Sequence, residues 1–298
     1  MLGKAILLVF LSVSAFNFTQ GQTNDTTISA EKVYLKIQGQ SGGMVIGRVQ
    51  NPDQDNNAVK IKFDAIQEVN SAGVAVGASG RSKHSFNNFA QLDFTFSSLE
   101  DTTYKNLTAK TVSFKASISS VNANLTVQTF IITEAGNITI DGESTVVEKG
   151  TVKFNINIEG WGFCDASGNC RKGNQDEIGE YIDLTISIKG KGTPSKKAGN
   201  NKRSEGEEFD LGGDASVALS KKISMDGGSY EDMPGNYPTF RTQGSKQLFV
   251  FRFPKFNNSV LYDPIIYTGI ADSSSGAAAI QFGFSLLLVV IMGVFTAV

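Results

Sequence analysis

The chain has little of what catalytic and metal sites are usually built from. Its 298 residues include one histidine, His84, one tryptophan, Trp161, and two cysteines, Cys164 and Cys170. A single imidazole leaves no histidine-rich metal centre. The serines around it, in Ser82-Lys83-His84-Ser85, do not make a nucleophilic triad by adjacency alone. No GxSxG, HExxH or glycine-rich phosphate loop occurs and the carboxylates are scattered, so no catalytic residue and no cofactor are expected. Charge is also scarce: Asp, Glu, Lys and Arg make up 19% of the chain and sum to a net charge of -2. Such a balance exerts no strong pull on nucleic acid, and no nucleic-acid-binding motif is present. With only six prolines there is no proline-rich linker to mark a domain boundary.

What is present begins at the two ends. Leu2 to Phe16 (LGKAILLVFLSVSAF) carries one early lysine, a short apolar core and small residues near Ala15, the pattern of a secretory signal peptide; residues 1–21 are assigned to it. At the other end, the small residues of Ala271-Asp272-Ser273-Ser274-Ser275-Gly276-Ala277 lead into the apolar Phe282–Val298, with no basic residue after it. This fits a glycolipid-anchor signal over 273–298, with attachment at Ser274 (or Ser275). A transmembrane helix is the other reading, since roughly 20 apolar residues suffice to span a bilayer. Both readings put the body of the protein outside the cell, attached to its membrane by the C-terminal segment.

Two further features suit that compartment, and composition bounds the fold. Cys164 and Cys170 bracket five residues, and an even pair this close in an oxidising environment is expected to form a local disulfide that pinches a turn. Sequons at Asn24, Asn106, Asn124, Asn137 and Asn257 are acceptors for N-linked glycan. The low charge and 40% hydrophobic content exclude a disordered chain.

Periodicity points to strands. Val33–Ile37, Val59–Phe63, Leu92–Phe96, Val112–Ile118, Leu125–Gln128, Val152–Ile158, Ile182–Ile188 and Leu248–Phe253 alternate apolar with other residues, as a sheet with one buried face requires. Turn signals such as Asn51-Pro52-Asp53 and Asp226-Gly227-Gly228 lie between them, and no amphipathic helix is evident. The expected fold is all-β: an antiparallel β-sandwich, or two smaller ones stacked, with about ten to thirteen strands. Gly142–Lys149 is the most plausible division, giving sandwich domains over 22–143 and 144–272. Ile131-Ile132-Thr133 and Phe154-Asn155-Ile156 are equally readable as neighbouring strands of one sheet, which would make a single domain.

Lys189–Glu208 (KGKGTPSKKAGNNKRSEGEE) breaks the strand pattern with a basic block followed by an acidic one. It reads as a mobile, solvated loop over 189–208, or as a basic patch for an acidic polymer. For calcium, Asp226, Glu231 and Asp232 supply hard oxygen ligands around a turn, although the segment lacks the twelve-residue loop pattern. Phe251, Phe253 and Phe256 read as core, whereas a glycan-binding surface would rest on Tyr237, Phe240 and Lys196.

Longer segments resemble a known family. Lys83-His84-Ser85-Phe86-Asn87, Asp93-Phe94-Thr95-Phe96, Glu134-Ala135-Gly136-Asn137-Ile138-Thr139, Trp161-Gly162-Phe163-Cys164, Gly179-Glu180-Tyr181-Ile182-Asp183 and Phe251-Arg252-Phe253-Pro254-Lys255-Phe256 look like the folded portion of stony-coral skeletal organic matrix proteins, the skeletal aspartic acid-rich proteins among them. The likeness covers most of residues 30–270. It implies a non-enzymatic extracellular protein of a calcifying matrix, with matrix components or calcium carbonate mineral as partners. The aspartate-rich tracts of those relatives are missing here, and the longest acidic cluster is Glu205-Gly206-Glu207-Glu208-Phe209-Asp210. That departure favours an organiser or adhesive over a mineral template.

Overall fold

The computed structural model describes residues 18–19, 25–76, 84–140, 143–165, 178–197, 207–243 and 246–269. Alternation builds it. Along Val59–Val69, Val59, Ile61 and Phe63 are buried while Lys60 and Lys62 are exposed. Along Tyr181–Lys189, Ile182, Leu184, Ile186 and Ile188 are buried, and Phe249, Phe251 and Phe253 repeat the pattern in Lys246–Pro254. Each large apolar side chain so buried contributes about 1.5–3 kcal/mol, which is what closes one sheet on another.

The regular structure of the described residues is almost all strand, in an antiparallel β-sandwich of an 8-stranded and a 13-stranded sheet. The smaller sheet runs Thr26–Ala30, Val33–Ile37, Met44–Gly47, Val59–Val69, Tyr181–Lys189, Lys246–Pro254 and Thr239–Gln243, each hydrogen-bonded to the next. The larger is centred on Leu107–Ile118, Ala123–Ile132 and Val152–Glu159. Val152–Glu159 then pairs with Ser259–Tyr262 along one part of its free edge and with Ile265–Tyr267 along the other. One apolar cluster fills the space between the sheets. Aromatic pairs cross it: Phe249 to Phe209 at 5.0 Å and Phe251 to Tyr262 at 4.7 Å between ring centroids. A second, smaller cluster of Tyr104, Leu107, Phe130, Ile138 and others brings residues of the hairpin Gly136–Ile140 and Glu143–Val147 against the larger sheet.

Two expectations are corrected here. A boundary between residues 143 and 144 does not separate packed units, because both sheets draw strands from either side of it. Val59–Val69 pairs with Tyr181–Lys189, and Ala123–Ile132 pairs with Val152–Glu159, with Ile131 opposite Val152 and Thr129 opposite Phe154. The chain halves share one apolar core, so neither could bury its strands alone. Nor is 189–208 a loop throughout. Ser195–Lys196 pairs with Glu207–Gly212, and the basic block meets the acidic one: Lys196 Nζ lies 2.7 Å from Glu207 Oε1 and Lys197 Nζ 2.8 Å from Glu208 Oε1. Residues 198–206 lie outside the described residues. At the N-terminal end, Phe18–Thr19, inside the expected signal peptide, pairs with Ser97 and Phe96.

Candidate functional site

The most connected polar site is one that alternation hides. Counting by twos from buried Phe63 would turn Glu68 outward. Between the partners of Thr185 and Ile186 the register shifts, Thr185 facing Ala65 and Ile186 facing Phe63, so Asp64 is an extra residue in its strand. A bulge of this kind exchanges the two faces beyond it. Ile66 and Glu68 therefore point inward, and both are 0% exposed.

Inside, the Glu68 carboxylate has three partners. Trp161 Nε1–H donates to Oε2 at 2.8 Å, the Cys164 backbone N–H donates to Oε1 at 2.7 Å, and His84 Nδ1 stands 3.0 Å from Oε2. Backbone bonds tie the same elements: Glu68 N–H donates to His84 O, and Gly179 N–H to Cys164 O. The fit requires glycine at 179, where a Cβ would sit 1.5 Å from Glu68 Oε1. A buried carboxylate is costly unless hydrogen-bonded, and here both oxygens are occupied. Glu68, His84 and Cys164 are also the one group of potential metal ligands that converges among the described residues. Pairing of Cys164 with Cys170, as expected from the sequence, would remove its thiolate as a ligand. The arrangement suits a structural joint between the Trp161–Cys164 segment and the sheet. No signal in the sequence links Glu68 to residues so distant in the chain.

The calcium candidates do not come together. The carboxylate of Asp226 accepts the backbone N–H groups of Asn257 (3.0 Å), Asn258 (2.6 Å) and Ser259 (3.0 Å). Those amides, the Asn258 one foremost, hold its carboxyl below the usual carboxylate range. Glu231 and Asp232 are consecutive exposed residues of the strand Tyr230–Asp232, so their side chains leave opposite faces. The acidic cluster is likewise engaged. Burial alone would raise the Glu207 carboxyl, but Lys196 and then Lys221 outweigh it and hold the group low. Glu208, 0% exposed, also accepts from Ser216 Oγ at 2.7 Å, and Asp210 Oδ1 accepts the Gly212 N–H.

The aromatic candidates are mostly taken up by structure. Phe251, Phe253 and Phe256 are buried core. Arg252 makes a two-pronged pair with Asp183, both bonds at 2.7 Å, and its guanidinium lies 4.4 Å from the centre of the Tyr237 ring. Tyr237 is thereby a stacking partner rather than an open platform. Phe240 is 46% exposed and packs edge-on against Phe209.

Of the expected glycan acceptors, Asn106, Asn137 and Asn257 are exposed. Asn106 is at the tip of the hairpin joining Glu100–Tyr104 to Leu107–Ile118. Asn124 is half-buried, and its side-chain oxygen accepts Ser117 Oγ–H at 2.8 Å. Asn24, Cys170, Ser274 and Ser275 lie outside the described residues. Among the described residues no helix is long and apolar enough to cross a membrane.

No solved structure matches the chain. The family of acidic skeletal organic matrix proteins matches it over residues 10–295, nearly its whole length. The chain belongs to that family, the acidic skeletal organic matrix proteins, and is built as a β-sandwich.

Proposed function

We propose that the protein is a non-enzymatic structural component of an extracellular calcifying matrix, which organises or adheres that matrix at the mineral interface. The family match over residues 10–295 carries this reading. The site geometry supports the organiser role over the template role. Of the carboxylates that could present oxygens to calcium, Asp226, Glu207, Glu208 and Asp210 already accept hydrogen bonds or ion pairs from their own chain, and the exposed Glu231 and Asp232 leave opposite faces of one strand. The non-enzymatic reading rests on the family and on Glu68, whose carboxylate is fully buried and bonded through both oxygens.

The finer features belong to the same proposal. Cleavage of 1–21 and attachment through Ser274 or Ser275 would deliver the protein to the outer face of the plasma membrane, and Cys164 would pair with Cys170, the only other cysteine. Glycans would sit at the exposed sequons. Calcium would be bound weakly and in no dedicated cage. The test is adsorption of the secreted, glycosylated protein onto aragonite at seawater ionic strength, beside a secreted β-sandwich of similar net charge. Adsorption above the control supports a role at the mineral interface. Adsorption equal to the control would move the protein to the cell side, as an adhesion or glycan-binding module that does not touch mineral.

A further inference from the structure

The lysines of the smaller sheet are arranged at a cost that nothing else in the fold explains. Lys60 stands directly opposite Lys189, and Val45 stands between Lys36 and Lys60 in the same row. Lys62 follows two residues along the strand, opposite Ser187. Directly paired residues share a face, so these side chains leave the sheet on one side, opposite the buried Val59, Ile61 and Phe63. Like charges directly opposed across strands are destabilising.

The surrounding charges do not relieve them. Lys60, Lys62, Lys189 and Lys246 border one groove of about 450 Å³. Among the described residues none of the four has a carboxylate within ion-pair distance. The acid in the groove, Asp53, is held by Lys36 Nζ at 2.7 Å, and Lys36 also reaches Asp25 at 2.9 Å. The contrast with the charged segment is direct: Lys196 and Lys197 meet Glu207 and Glu208, while among the described residues Lys60, Lys62, Lys189 and Lys246 meet no acid. In a chain of net charge -2 this is a local concentration of positive charge.

The position of the groove selects the partner. Val59–Val69 and Tyr181–Lys189 are each hydrogen-bonded to neighbours on both sides, so no strand edge is open there to pair with an incoming peptide backbone. A ligand must be held through groups projecting from its own chain. Anionic groups would meet the lysines, and hydroxyls would meet polar groove residues such as the exposed Gln40. We infer that this groove binds an anionic polysaccharide, sulfated or carboxylated, so that the protein links matrix polymer to the interface. The inference deepens the matrix reading above and rests on it for the source of the polymer.

The test uses the full secreted, glycosylated protein and a size-defined, fully sulfated heparin oligosaccharide as probe, with titration calorimetry at several salt concentrations. The expected result is saturable binding that weakens with salt as about three released counter-ions require. Lys60→Gln/Lys62→Gln/Lys189→Gln should weaken it about tenfold or more, with melting temperature kept or raised. Lys246→Gln alone, at an exposed strand end, should weaken it less, while Lys196→Gln/Lys197→Gln should leave it unchanged. Undiminished affinity in the triple variant, loss on changing Lys196 and Lys197, or tighter binding of poly-aspartate than of the oligosaccharide would overturn the proposal. Aragonite adsorption of the triple variant separates the two readings. Adsorption equal to that of the unsubstituted protein with lost probe binding confirms the groove without touching the mineral role, whereas adsorption at control level in both proteins, with the probe bound by the unsubstituted protein and lost in the triple variant, removes the mineral role and keeps the groove.

Discussion

At the scale of single residues, Glu68 and Gly179 are the most consequential. Glu68→Ala would leave the buried Trp161 Nε1–H and Cys164 N–H without acceptors, an expected loss of about 3–5 kcal/mol in urea unfolding. Glu68→Gln keeps the shape but turns an amide N–H₂ toward existing donors, and should cost about 1–3 kcal/mol. Unchanged stability in both would contradict the role given to the carboxylate. Gly179→Ala places a methyl on Glu68 Oε1 and should be strongly destabilising alone. In the double variant with Glu68→Ala its cost should largely disappear, because the clashing partner is gone. Asp226 makes a pH statement. Its carboxyl is depressed in the folded state, so its stabilising effect is present above its ordinary value of 3.8 and is lost as pH falls through the lower folded value. Melting curves of the unsubstituted protein and Asp226→Asn should therefore differ at neutral pH and converge on acidification; a gap that persists in acid would contradict this.

At the scale of strands, much was legible and the rest was hidden for identifiable reasons. Val33–Ile37 and Val152–Glu159 are strands where alternation placed them, because each buries every second side chain against one core. Leu92–Phe96 alternates like one strand, yet Phe89–Gln91 forms a tight turn to which Leu92 N–H still bonds, Asp93 makes only an isolated bridge with Gln40, and the continuous strand begins at Thr95. The hairpin turns Glu31-Lys32 and Lys105-Asn106 have positive φ at both residues without glycine, so the usual turn signal was missing. The bulge at Asp64 was the decisive blind spot: it depends on how Val59–Val69 pairs with a strand over a hundred residues away, and it decides that Glu68 faces inward. Tertiary pairing also joins Lys153, 1% exposed, to Asp263 at 3.3 Å. Removing one member of such a buried pair typically costs about 3–5 kcal/mol, so Lys153→Ala should unfold at markedly lower urea than a surface Lys→Ala. Equal midpoints would show that the pair contributes little.

At the scale of the whole molecule, the fold draws the longest acidic cluster into its own ion pairs and hydrogen bonds. Among the described residues Asp226 and the acidic cluster Glu207, Glu208 and Asp210 are turned onto the chain's own amides and lysines, while the lysine row on the smaller sheet faces no acid within ion-pair distance. Glycan mapping should find Asn106, Asn137 and Asn257 occupied more fully than Asn124, whose side chain is half-buried and bonded to Ser117; predominant occupancy at Asn124 would mean that modification ignores the folded surface. The central claim is membership of the skeletal matrix itself. The most direct measurement is mass spectrometry of the organic material released by demineralising bleached skeleton, compared with the membranes of the overlying tissue. Peptides from residues 25–269 enriched in the mineral-occluded fraction are the expected result, and peptides confined to the tissue membranes would contradict it.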